Sequence, residues 1–227
     1  MAITIGSTTL SAEMAGSSSF TTSHTVASGT DLLVCRLPCS LWTNNPITWA
    51  SVTFNGSNMT YYARQVSSSA QYKSCELWYM LAPAVTTANV IGTITGGYQV
   101  DGAPGITNIS GCNITTPFGT AVGADGNGTA VSVTVSTGAN DYALDCVLAN
   151  AATGMTCDGS QTQDFKNASG FSGGSSKVAG TTMAWTTVSS DIWISLAVPV
   201  LDGGPPASRI VRPNRLRPAI FSPGIAR

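Results

Sequence analysis

Few side chains of this 227-residue chain are of a type that does chemistry, and their neighbours decide what each could do. The single His24 stands in TTSHTVASGTD. To act as an acid or base it needs a Ser, Cys or carboxylate beside it in space; otherwise it is a strand histidine satisfied by a neighbouring group. GFSGG (170–174) matches G-x-S-x-G with Ser172 as its serine. A nucleophile elbow needs a buried strand before it and a helix after it, and the Gly/Ser-rich surroundings promise neither. Asp125 and Asn127 in GADGNG resemble a piece of a calcium loop, but no further carboxylates or closing Glu follow; a hairpin turn is the expected structure. Glu13 and Glu76 are the only glutamates, and the aspartates mostly mark turns. Asp145 in YALDCVL is the exception, an acid inside an apolar strand. It points to solvent or a neighbouring strand, or it is a satisfied buried acid. These residues lead to the expectation of a protein that is not an enzyme and uses no cofactor.

The six cysteines (Cys35, Cys39, Cys75, Cys112, Cys146 and Cys157) form no C-x-x-C pair, and one histidine cannot complete a zinc site, so no metal is expected. Cys35, Cys75 and Cys146 lie in apolar runs and read as core residues. Cys39, Cys112 and Cys157 read as loop-borne. One disulfide among them stays open, although cytoplasmic assembly favours thiols.

The residues best suited to recognition lie at the C-terminus, RIVRPNRLRPAIFSPGIAR. Arg209, Arg212, Arg215, Arg217 and Arg227 are half of the ten cations, and none of the eleven acids lies among them. Residues 1–208 carry five cations against eleven acids, a net of −6, so a basic arm follows an acidic body. Pro213, Pro218 and Pro223 recur every fifth residue, and Leu216, Ile220, Phe221 and Ile225 stand between or after them. Proline favours extended or polyproline conformations. The arm is therefore expected to be an extended strap whose arginines and apolar anchors bind a protein partner. An acidic body repels phosphate, so nucleic acid is not the expected target. Among the aromatics, Trp78, Trp185 and Trp193 read as core. Trp42 in SLWTNNP, with Tyr61 and Tyr62 behind it, is the candidate platform for surface glycans.

The elements that must hold these residues are strands. Helical periodicity is nearly absent, and β-branched or aromatic runs recur between Gly, Asn, Asp and Ser. Strands are expected near 19–26, 31–38, 48–54, 59–66, 73–81, 89–95, 118–124, 130–136, 142–149, 182–188 and 192–200. GADGNG (123–128) is expected to be a turn and SGFSGGSSKVAG (169–180) a flexible loop. The fold class is all-β, an antiparallel β-sandwich of jelly-roll type. Its expected layout is a display domain over 1–201, a Gly/Pro linker over 202–208 and the docking arm over 209–227.

Charged residues make up only 9% of the chain while hydrophobic ones reach 43%, so the composition allows a core, and the surface is rich in hydroxyls and amides. MAITIGSTTLSAEMAG has neither the basic nor the apolar region of an export signal, and no apolar run is long enough to span a membrane. A virion protein assembled in the host cytoplasm reconciles such a surface with the missing signal; an extracellular module is the alternative.

The order of SHTVASGTDLLVCRL, VTFNGSNMTYYARQ, CELWYMLAPAVTTANVIGTITG, TTPFGTAV, NDYALDCVLAN and GSQTQ before MAWTTV resembles a family of jelly-roll-like β-sandwich domains. That family occurs in tailed-phage structural proteins and bacterial surface proteins. The resemblance spans roughly residues 17–200 and is carried most by ELWYMLAP. It implies a non-enzymatic display or adhesion module. With the basic arm, which lies outside the resemblance, the expectation is a structural protein of a particle whose partner is its major capsid or tail protein, as a homo-oligomer within the assembly. The runner-up is a secreted carbohydrate-binding or adhesion module.

Overall fold

In the computed structural model, residues 2–40, 48–68, 73–149, 154–169 and 171–204 are described. The first half of the chain supplies nine strands: β1 (Thr4–Leu10), β2 (Ser19–Thr25), β3 (Leu32–Ser40), β4 (Trp49–Phe54), β5 (Ser57–Asn58), β6 (Thr60–Val66), β7 (Lys73–Leu81), β8 (Thr87–Ile94) and β9 (Gly105–Ser110). Early strands pair with late ones: β1 with β9, β2 with β8 and β3 with β7, all antiparallel. The chain is thus rolled up like one long hairpin. One sheet has the order β1-β9-β3-β7-β6 and the facing sheet β2-β8-β4-β5. This is the strand order of a jelly roll.

The second half adds β10 (Val122–Thr134), β11 (Tyr142–Ala149), β12 (Met155–Cys157), β13 (Thr162–Lys166), β14 (Ser172–Val178) and β15 (Thr182–Val200). They form a third antiparallel sheet, β10-β15-β11-β14-β13, with β12 on β15. It packs on the outer face of the β3 sheet, so the molecule has three β layers and β3 lies in the middle one. Alternation along β3 shows this. Leu33, Cys35 and Leu37 pack with Phe20, Val52 and Phe54 of the β2 sheet, while Leu32 and Val34 pack with Leu144, Leu196 and Val198 of the third. A strand covered on both faces has no solvent side, hence the unbroken run LLVCRLP.

Several expected elements are placed differently. GADGNG is not a turn but the middle of β10, paired with residues 191–196 of β15. Gly126 serves close approach: a Cβ there would lie 2.7 Å from the Trp193 ring. The stretch 169–180 is not a loop, because β14 occupies 172–178. A Cβ on Gly174 would lie 2.4 Å from the Phe165 ring and one on Gly173 3.0 Å from Trp185, so the small residues make room for those rings. The strands expected at 182–188 and 192–200 are one, β15, with Thr187–Ser190 bulging opposite Thr129. The strand expected at 118–124 starts only at Val122. Strands β1, β5, β9, β12, β13 and β14 have no counterpart among the expected strands.

Candidate functional site

Arg64, Tyr61, Glu76 and Trp78 meet on the side of the β3 sheet that faces the β2 sheet. Residues two apart on a strand share a face, which puts Glu76 and Trp78 of β7 side by side. Trp78 Nε1 donates to Glu76 Oε2 at 3.0 Å. From β6, Tyr61 sets its ring edge-on to Trp78, centroids 5.6 Å apart. Arg64 Nη1 lies 4.0 Å from Glu76 Oε1 and donates to Thr48 Oγ1 at 2.7 Å. Trp49 closes the base, its backbone N–H 3.5 Å from Glu76 Oε1. Together with Thr48 these residues line a cavity of about 320 Å³. Burial pushes the Glu76 carboxyl up, opposed by the Trp78 hydrogen bond and the Arg64 charge. Tyr61 is the exposed wall, at 47% of its surface.

The sequence grouped Tyr61 and Tyr62 behind Trp42. The structure separates the two tyrosines. A bulge in β6 falls between Tyr61 and Ala63, and Tyr62 turns to the other face of the sheet. There its hydroxyl donates to the Gly119 carbonyl and its ring packs on Phe118 and Tyr79. Tyr62 is therefore a packing residue. Trp42 lies outside the described residues. Arg64 and Glu76 were not singled out by sequence reasoning; a lone carboxylate inside the apolar run CELWYML was the available signal.

His24 is buried, with Nδ1 2.8 Å from Thr9 Oγ1 and Nε2 3.0 Å from Asn108 Oδ1. Asn108 spends its amide N–H groups on Ser7 Oγ and the Thr25 carbonyl, so its oxygen accepts from His24 Nε2–H. Burial lowers the histidine's pKa. This is a strand histidine satisfied by its neighbours. Ser172 is buried on β14, opposite Leu148 and remote in the fold from His24. Asp125 accepts from the Ser68 backbone and hydroxyl. Asp145 is the satisfied buried acid: Ser175 N (2.6 Å) and Oγ (2.9 Å) donate to Oδ1 and Trp185 Nε1 (2.7 Å) to Oδ2. Burial still raises its pKa to about 6.

All six cysteines are free thiols. Cys39 is not loop-borne but buried in β3, and Cys157 lies in β12. Among the described residues no group of three side chains could hold a metal ion, and no helix is long and apolar enough to cross a membrane.

The arm residues Arg209, Arg212, Arg215, Leu216, Arg217, Ile220, Phe221, Ile225 and Arg227 lie outside the described residues. The point where the arm leaves the body is well defined. Leu201 N donates to the Pro117 carbonyl (2.9 Å), Asp202 N to Asp141 Oδ1 (2.9 Å) and Gly203 N to the Gly111 carbonyl (3.0 Å). Asp31 Oδ2 accepts from Gly111 N nearby. Three carboxylates therefore surround the exit. Two of them are engaged by backbone amides, while Asp202 Oδ1 is buried without a hydrogen-bond partner among the described residues.

No family model, no curated protein and no solved structure matches this chain.

Proposed function

We propose that this chain is a non-enzymatic structural protein of a tailed-phage particle, a capsid decoration, head fibre or tail component. Its layered β body is displayed, and its C-terminal arm docks on a major capsid or tail protein. The reading is supported most by one relationship: a segment with five arginines leaves a body of net charge −6 at a backbone-pinned exit. Such a body offers a rigid base from which a strap can reach a partner, and extended straps dock through regularly spaced anchors. The jelly-roll order fits a display module but does not by itself carry a function. In the test, particles are assembled with the Phe221→Ala, Ile225→Ala double variant. Release of the protein from purified particles is expected, and undiminished retention would sink the anchor.

A second reading, a saccharide site, is favoured by the Tyr61 cavity. An exposed aromatic edge beside a guanidinium and a carboxylate suits a sugar ring and its hydroxyls. Glycan-array binding should then be lost in Tyr61→Ala while the fold is retained. Binding that survives this change would remove the cavity from consideration.

A further inference from the structure

The free edge of β1 and the free edge of β13 face each other across the boundary between the jelly roll and the third sheet. Among the described residues β1 pairs only with β9, and β13 only with β14. Between them runs a groove of about 430 Å³ lined by Thr4, Ile5, Thr8, Thr162 and Gln163. It continues into a second hollow of about 350 Å³, walled by Ala2, Asn140, Val178 and Asp202, and the two share Ile3 and Tyr142. The groove thus starts at Asp202, two residues before the last described residue.

Unpaired edges of this kind are normally covered in a native protein. The cover here has little room: β1 and β13 approach within 8 Å, Cα to Cα, less than the roughly 9.6 Å that a strand inserted between two others requires. A segment must lie along the groove rather than enter a sheet. A proline-punctuated strap, which cannot complete a ladder, suits this.

We propose that the groove seats the end of the linker and the first half of the chain's own arm, residues 205–217, with Arg209 on Asp202 Oδ1. The inference rests on the docking-arm reading above and deepens it. Three observations carry it. The groove begins where the arm begins. Its mouth holds a buried carboxylate oxygen without a partner among the described residues, and Arg209 is the first cation to follow in the chain. Its walls offer Ile3, Ile5, Tyr142 and the half-exposed Val178 to Ile210, Val211 and Leu216. The reach agrees as well. From Gly204 to Leu216 an extended segment covers about 37 Å at ~3.1 Å per residue, and the seven residues of β1 span about 24 Å. The proximal half would then be held on the body, leaving Ile220, Phe221 and Ile225 to the partner.

The test uses the full chain with Leu216→benzoylphenylalanine, irradiated at high dilution, with adducts mapped by mass spectrometry. Intramolecular adducts at Ala2–Thr8, Tyr142 or Val178 are expected. Asp202→Asn should lower their yield roughly tenfold, the value of one charge-assisted hydrogen bond, and Val178→Arg, a change at an exposed wall, should lower it without unfolding the protein. Adducts elsewhere, or adducts formed only between isotopically distinct copies, would overturn the proposal. If they do so while Phe221→Ala, Ile225→Ala still releases the protein from particles, the groove fails and the docking arm stands.

Discussion

Arg36 Nη1 lies 2.8 Å from Asp164 Oδ2, and both side chains are sealed from solvent. The two residues belong to different halves of the molecule, β3 of the jelly roll and β13 of the third sheet. The guanidinium also donates to the carbonyls of Asp145 (3.1 Å) and Ser175 (3.2 Å) and to Thr107 Oγ1 (2.7 Å), and it lies 4.8 Å from the centre of the Phe165 ring. One cation therefore holds β9, β11, β13 and β14 around itself.

Removing one member of this pair leaves a buried charge without its counter-charge, which typically costs about 3–5 kcal/mol. Arg36→Ala and Asp164→Ala should each lower stability by that order in urea unfolding. The double variant Arg36→Met, Asp164→Leu, which removes both charges and keeps volume, should lie much closer to the parent. Single truncations costing under about 1 kcal/mol would show that water reaches the pair.

Asp145 makes stability depend on pH in a defined direction. Its folded carboxyl holds a proton up to about 6, against 3.8 for an ordinary aspartate. Between those values the folded state binds more protons, so this contribution is present at low pH and is lost as pH rises through about 6. The loss is on the order of 2–3 kcal/mol. His24, its pKa lowered by burial, acts oppositely and withdraws stability as pH falls below its unfolded value. The difference in pH slope between the parent and Asp145→Asn isolates the aspartate; equal slopes would refute its raised pKa.

Phe165 is clasped between two glycines. A Cβ on Gly105 or on Gly174 would come within 2.4 Å of its ring, and the one on Gly174 also within 2.8 Å of the Asp145 carbonyl. Gly105→Ala should destabilise by about 1–3 kcal/mol through overpacking, and the double variant Gly105→Ala, Phe165→Leu should recover part of it. Calorimetric midpoints of the two variants decide the point.

The thiols should be nearly inert in the folded protein. Burial pushes Cys39 up to about 12 and Cys112 to about 11, and raises Cys35 further. With a thiolate fraction on the order of 10⁻⁵ at neutral pH for Cys39, a chromogenic thiol reagent should reach Cys157 first and the others only on unfolding. Rapid native labelling of several cysteines would show that the sheets open readily.

Legibility varied along the chain for physical reasons. β7 and β11 were read with their observed bounds, because runs such as KSCELWYML and YALDCVLA keep their apolar character whichever neighbour covers them. β14 and the centre of β10 were missed because their glycines fit against Phe165, Trp185 and Trp193, rings on other strands that the composition of the segment itself does not show. At the candidate site the exposed Tyr61 was legible as an aromatic. Its separation from Tyr62 is the ordinary alternation of a strand, but its company with Arg64, three residues on, depends on a bulge in β6 that no local residue pattern announces.

By itself the sequence determined the class of fold, the antiparallel strands, the place of Cys35, Cys75 and Cys146 in apolar runs and the opposition of a basic end to an acidic body. Composition and two-residue alternation are local properties, and they suffice for these. Only the tertiary structure decided that three sheets stack with β3 in the middle, that Arg36 finds Asp164, and that the free edges of β1 and β13 meet where the arm departs. Each of these depends on which distant strands pair, a choice made by the packing of whole layers rather than by any one segment.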